Sequence, residues 1–188
     1  RVREERPADD QYYETRIPLL SQGDLFRDVP LAYPVPGAIV EDESDLGFGS
    51  RHFLAGPLET GFAVLTTPTC SMRAQGAPDR YAHPVRTLVP LMPIERLVDD
   101  GLLDSAKLGL VRKYDGMINY MYLPAHVPSG LPESMALLYM PVTMHHDIID
   151  GQRTTQLAVE GAQQLQRKLV WFCSSWQEPR STFEPPLD

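Results

Sequence analysis

Cysteine is scarce in this chain of 188 residues: Cys70 and Cys173 are its only two. Two cysteines are too few for a disulfide framework. A pair of reduced thiols suits a reducing compartment, so a cytoplasmic protein is expected. No run reaches the roughly 20 apolar residues of a membrane span, and no membrane partner is expected. Positive charge is in deficit, with a formal net charge of −8. An acidic surface repels phosphate, which disfavours broad nucleic-acid binding and leaves only a local basic groove as a route to it. The chain has no Gly-rich phosphate loop, no Gly-x-Ser-x-Gly, no Cys-x-x-Cys, no His-x-x-x-His and no internal repeat. The common signatures of nucleotide binding, serine hydrolysis and zinc ligation are therefore missing, and no cofactor is expected. The chain opens on Arg1, as a trimmed sequence would.

Proline, by contrast, is abundant, with eighteen residues that fall mostly between apolar runs. That spacing favours short strands and structured loops over a helical bundle. Hydrophobic residues make up 43%, enough for one core, and the length suits one domain. Residues 1–16 are charged and read as a flexible N-terminal arm, with Tyr12 and Tyr13 able to pin its end. Residues 17–176 read as one domain, and 177–188, with Pro179, Pro185 and Pro186, as an extended tail.

Within the domain, Leu25-Phe26 enters a first strand after the turn Ser21–Asp24. The prolines of Val29–Pro36 predict an extended segment that is neither helix nor central strand. Glu41–Asp45 reads as a solvated acidic loop rather than a calcium loop, whose spacing it lacks. Gly61–Thr67 and Arg86–Leu91 are apolar on both faces and predict neighbouring central strands. Residues 71–84 between them read as a loop. Ile94–Val98 predicts one or two helical turns, and Ser105–Val111 is ambiguous. Tyr114–Leu123 predicts a hairpin turning at Asp115-Gly116. Met135–Met140 predicts a further buried strand. A helix over 157–176 places Leu165, Leu169, Phe172 and Trp176 on one face, with Gln163, Gln166, Arg167 and Lys168 polar around it.

Three of these segments occur in a telling order. Gly23-Asp24-Leu25 is followed by Ala63-Val64-Leu65-Thr66 and then by Leu88-Val89-Pro90-Leu91. Later come Gly130-Leu131-Pro132, the Met135–Met140 strand, and Arg153 ahead of the last helix. This layout resembles the MazF/PemK-like toxins (Kid/CcdB-type). The resemblance spans roughly residues 21–175. It implies a mainly β (α+β) fold: a small SH3-like barrel with insertions and a packed C-terminal helix. It further implies a bacterial, cytoplasmic, toxin-like homodimer. The family's ribonucleases carry Arg-Pro before the central strand, where this chain has Thr60-Gly61, and a hydroxyl residue after Pro-Leu, where it has Met92. Phosphoryl transfer needs a cation and a general acid/base, so those two departures predict a chain without that activity.

Several further positions could carry chemistry. Cys70 lies just past the best strand, where scaffolds present reactive groups, and His83 across the next loop could serve as its base. Arg51, Arg73 and Arg86 are candidate substitute cations. The competing reading of Cys70 is an inert thiol packed as a small hydrophobe. His145 and Asp147 would share a face of an extended segment, whereas adjacent His146 would point away; with Cys70 and His83 they could supply a zinc site if the fold gathers all four. The competing reading is a polar turn. Asp147, Asp150 and Glu160 read as carboxylates complementing the dipole of the last helix. Tyr114, Tyr120, Tyr122 and Tyr139 read as strand-face packing rather than a base-stacking platform. The expected function is a noncatalytic or partner-regulated barrel that binds a protein partner or itself. The alternative is an enzyme: a divergent ribonuclease or a hydrolase using Cys70 and His83.

Overall fold

The computed structural model describes residues 12–32, 39–42, 51–54, 58–74, 77–113 and 119–175. Its frame is one antiparallel sheet of eight strands that curls into a half-barrel, closed by a C-terminal helix. The strands are β1 (Tyr13–Glu14), β2 (Asp24–Ala32), β5 (Leu58–Leu65), β8 (Val85–Pro93), β9 (Tyr120–Leu123), β10 (Ser134–Leu137), β11 (Val142–His145) and β12 (Arg153–Leu157). Across the sheet they run β1-β12-β2-β5-β8-β10-β9. Strand β8 is long enough to take two partners on one edge: Leu91 pairs Ala136 of β10, and Leu88 pairs Val142 of β11. Two small ribbons stand outside the sheet, β3 (Ile39–Asp42) with β4 (Arg51–Leu54), and β6 (Arg73–Ala74) with β7 (Ala77–Tyr81).

The two central strands are the pair expected from apolar content on both faces. β5 and β8 pair antiparallel, with Val64 opposite Val89 and Leu65 opposite Leu88. Side chains alternate across a strand, so each feeds two cores. Leu25, Val64, Val89 and Leu91 pack on one side with Tyr12, Met121 and Leu157. Phe26, Ala63, Leu65 and Leu88 pack on the other with Leu20, Met72 and Ile149. The first side is covered by helix α4 (Val159–Ser175) through Leu165, Leu169 and Phe172. Leu165 is fully buried, whereas Leu169 and Phe172 are half-buried; Trp176 lies outside the described residues. A third cluster forms where α2 (Ile94–Asp99) and α3 (Leu108–Lys113) cover β9 and β10: Ile94, Leu97 and Val111 meet Tyr122, Met135 and Leu137. Arg112 of α3 is held there by Glu133 at 2.6 Å, and Tyr122 Oη donates to the same carboxylate at 2.6 Å. The two far edges of the sheet approach each other. Tyr13 on β1 donates its hydroxyl to the Pro124 carbonyl just past β9, at 2.6 Å.

The expectation for Val29–Pro36 holds over its first four residues, and the rest lies outside the described residues. Val29–Ala32 belong to β2, and Pro30 sits opposite Thr60 of β5. β12 pairs only with Asp24–Phe26, so the proline lies on a stretch with a partner on one side. A missing N–H is tolerated on such an edge. A bulge separates the two halves of β2, with Asp28 at φ 55°. The acidic loop was expected from residue 41, but Glu41 and Asp42 are part of β3, and the remainder lies outside the described residues.

One other local reading also changes. Residues 71–84 are not a plain loop. The one-turn helix α1 (Thr69–Met72) and the β6–β7 ribbon occupy most of it, anchored by fully buried Met72. Of the hairpin expected over Tyr114–Leu123, residues 114–118, with the Asp115-Gly116 dipeptide, lie outside the described residues; α3 runs to Lys113, and β9 takes β10 as its partner, Tyr122 opposite Met135.

Candidate functional site

The polar chemistry of the fold gathers where β12 meets the N-terminal segment. Asp24, of the Gly23-Asp24-Leu25 motif, opens β2 and is fully buried. Gly23 precedes it at φ +96°, with Leu157 against it: a Cβ there would sit 3.4 Å from the leucine. Only glycine takes that conformation without strain. Asp24 Oδ2 accepts the Ser21 N–H at 2.7 Å, and Oδ1 accepts Arg153 Nη2 at 2.6 Å. Burial pushes the Asp24 carboxyl up to about 6; the Ser21 N–H and Arg153 pull the other way without overcoming it. Arg153, the basic residue ahead of the last helix, also donates to the Ile17 carbonyl and to Gln156 Oε1. Arg16 returns the brace by donating to the Arg153 carbonyl at 2.9 Å. Two motifs 129 residues apart are thus one buried ion pair.

A cleft of about 550 Å³ opens over this pair, lined by Arg16, Ile17, Pro18, Leu20, Asp150 and Arg153. Asp150 connects it to a second cluster, on the two short 3₁₀ turns between β11 and β12. Here His146 Nδ1 lies 3.0 Å from Asp150 Oδ2 and 3.1 Å from Asp147 Oδ1. His145 Nδ1 lies 3.2 Å from Asp147 Oδ2. The two imidazoles stack, 4.7 Å apart and 25° off parallel.

The alternation argument that separated the two histidines fails for a local reason. His145 is the last residue of β11, and His146 starts a 3₁₀ turn, so the period of two ends between them. Asp147 and Asp150 likewise stand outside the first turn of the last helix. β12 intervenes, and only Glu160 lies in the first turn of α4.

The other candidates are dispersed. Cys70 is exposed on α1, and His83 is exposed in the turn before β8. Among the described residues, no hydrogen bond joins the thiol to an imidazole. Arg86 is fully buried, its Nη1 donating to the carbonyls of His83 at 2.5 Å and Val85 at 2.9 Å. It is His83's backbone, not its ring, that this cation meets. Cys173 is also free and exposed.

Sequence reading missed a serine–histidine pair. His126 Nδ1 and Ser129 Oγ lie 2.8 Å apart, and burial holds the imidazole below its ordinary range. The Ser129 hydroxyl is also placed to donate to the His126 carbonyl at 3.2 Å. A hydroxyl has one proton, so in that arrangement Nδ1–H donates to Oγ and the ring is no base for it. The pair locks the turn before Gly130, which stands at φ +73°.

The fold and these clusters define a mainly β, barrel-like protein with a packed C-terminal helix. Compared with known proteins, the chain matches no family model and no curated protein. No helix among the described residues is long and apolar enough to cross a membrane.

Proposed function

We propose that the chain is a noncatalytic or partner-regulated barrel of the MazF/PemK-like kind, working in the cytoplasm through self-association. The observation that carries this reading is the outer face of α4. The inner face packs on the core, yet Val170 is 64% and Trp171 45% exposed on the outer one, beside a cleft lined by Gln163, Gln166 and Arg167. A large aromatic in solvent on an otherwise packed helix is the profile of an interface anchor. A second copy is the proposed occupant. Two chains of net charge −8 repel each other, and among the described residues the lining of this cleft adds no carboxylate to that repulsion.

Catalysis by the family's route is disfavoured by the same structure. Of the candidate cations, Arg86 is committed to two carbonyls, and the side chains of Arg51 and Arg73 lie outside the described residues; Arg153, the basic residue ahead of the last helix, is committed to Asp24. A divergent ribonuclease would have to extract Arg86 from the sheet. Sedimentation velocity tests the proposal. The full chain should dimerise at micromolar concentration, and Trp171→Glu should return it to monomer. A monomer at every concentration would refute self-association. Incubation with a long single-stranded RNA should leave it intact; cleavage abolished by Arg86→Ala would make the enzyme reading primary.

A further inference from the structure

We propose that the turn between β11 and β12 is a zinc site, with His145, His146, Asp147 and Asp150 as its four ligands. The proposal stands apart from the interaction reading and rests on three observations.

The first is spacing. Three donor separations in the cluster are 3.0, 3.1 and 3.2 Å. A tetrahedral ion with bonds of about 2.0–2.2 Å holds its ligands roughly 3.3–3.5 Å apart. Each of these pairs is within a few tenths of an ångström of that spacing. The ligand atoms of His145, His146 and Asp147 lie within 4.8 Å of one another, and Asp150, which meets His146 but stands outside that group, turns its carboxylate inward to complete the set.

The second is anchorage. The turn is fixed from both sides. His145 pairs with Val85 of β8, and the His146 N–H donates to the Pro84 carbonyl at 2.8 Å. Ile149, inside the loop of ligands, is fully buried in the second core. Ligands carried on such a backbone lose little freedom on binding.

The third is donor chemistry. Two imidazole nitrogens and two carboxylate oxygens form a borderline set that suits zinc and excludes the all-oxygen preference of calcium and magnesium. Asp147 and Asp150 together supply the −2 that balances a dication. Four protein ligands leave no open position, so the site is a clip rather than a catalytic centre. Its exposure, from 22% at the His146 side chain to 73% at Asp147, lets the ion exchange with solvent. Because Asp150 also lines the Arg16–Arg153 cleft, loading the turn would draw that carboxylate toward the ion and leave the cleft more cationic.

The test is calorimetric titration of the untagged full chain with zinc chloride, repeated with cobalt(II) as a spectroscopic probe. One ion per chain should bind, and cobalt should give the intense visible absorption of tetrahedral coordination. His146→Ala should weaken binding by more than the roughly 10–100-fold typical of losing a mere supporting partner. Asp147→Asn should do the same, and at 73% exposure it cannot compromise the core. Asp28→Asn, an exposed carboxylate on the β2 bulge, should change nothing. Absence of binding would overturn the proposal. So would binding indifferent to both ligand variants, or binding lost on alkylating Cys70 and Cys173, which would assign the metal to the thiols.

Discussion

The Asp24–Arg153 pair should be lopsided: removing its cation should hurt far more than neutralising its anion. Asp24 is fully buried, and besides Arg153 the bonds to its carboxylate come from one backbone N–H, that of Ser21. Arg153 keeps the Ile17 carbonyl and Gln156 Oε1 as acceptors and borders an open cleft. Arg153→Met therefore strands a buried carboxylate, at a cost of about 3–5 kcal/mol at pH 7. Asp24→Asn leaves Arg153 with neutral acceptors and water, at a cost of about 1 kcal/mol, the scale of one ordinary hydrogen bond. The pH dependence separates the two further. The folded carboxyl, pushed up to about 6 from 3.8, binds a proton over a window in which the unfolded one does not. Its contribution to stability is thus fully present below 3.8 and is lost as pH rises through about 6. Without Arg153 the carboxyl moves higher still. The penalty of Arg153→Met should therefore shrink as pH falls from 7 toward 4.5. Asp24→Asn should remove this group's slope altogether. Urea unfolding at pH 7, 6, 5 and 4.5, followed by tryptophan fluorescence, measures all three chains. Equal costs for the two variants at pH 7, or an Arg153→Met penalty indifferent to pH, would refute the reasoning.

Other perturbations give simpler readings. Leu165→Ala should cost about 2–5 kcal/mol, and half-buried Leu169→Ala less; thermal melts in the reverse order would show that α4 packs by another face. Gly23→Ala should cost more than about 1 kcal/mol, because alanine must adopt a positive φ against Leu157; an unchanged melting temperature would contradict this. Both exposed cysteines should react with a thiol reagent at comparable rates under native conditions. Fast labelling of Cys70 alone, removed by His83→Ala, would reopen the hydrolase reading.

What could be read from the chain was what local pattern determines. Gly61–Thr67 and Arg86–Leu91 are apolar on both faces because each feeds two cores, and that doubling is written in consecutive residues. The stripe Leu165, Leu169, Phe172 is legible for the same reason. What escaped depends on partners far away in sequence. Nothing near Asp24 announces Arg153: in the sequence one closes the turn Ser21–Asp24 and the other stands ahead of the last helix. Lys168, placed on the polar side of the last helix, is 1% exposed. The histidines were separated by a strand period that stops one residue too early to apply. Arg86 looked like an available cation because burial of a charged residue has no sequence signature; its acceptors are backbone carbonyls, present at every position.

Strand β12 lies between β1 and β2, the first two strands of the chain, although it is made after every other strand. Glu14 meets Gln156, 142 residues further on. On a ribosome, the Asp24–Phe26 edge therefore emerges before its β12 partner and waits, unpaired, while the strands between them in sequence are made. β1 waits longer, because the strand that holds it has no place until its own slot beside β2 is filled. Contacts of such long range are slow to form, and open strand edges recruit other chains in the meantime. The early edge has its own protections: a bulge at Asp28 and a proline at position 30 make the rest of β2 a poor template for a foreign strand. Release of β12 is then the event that joins β1 to the rest of the sheet.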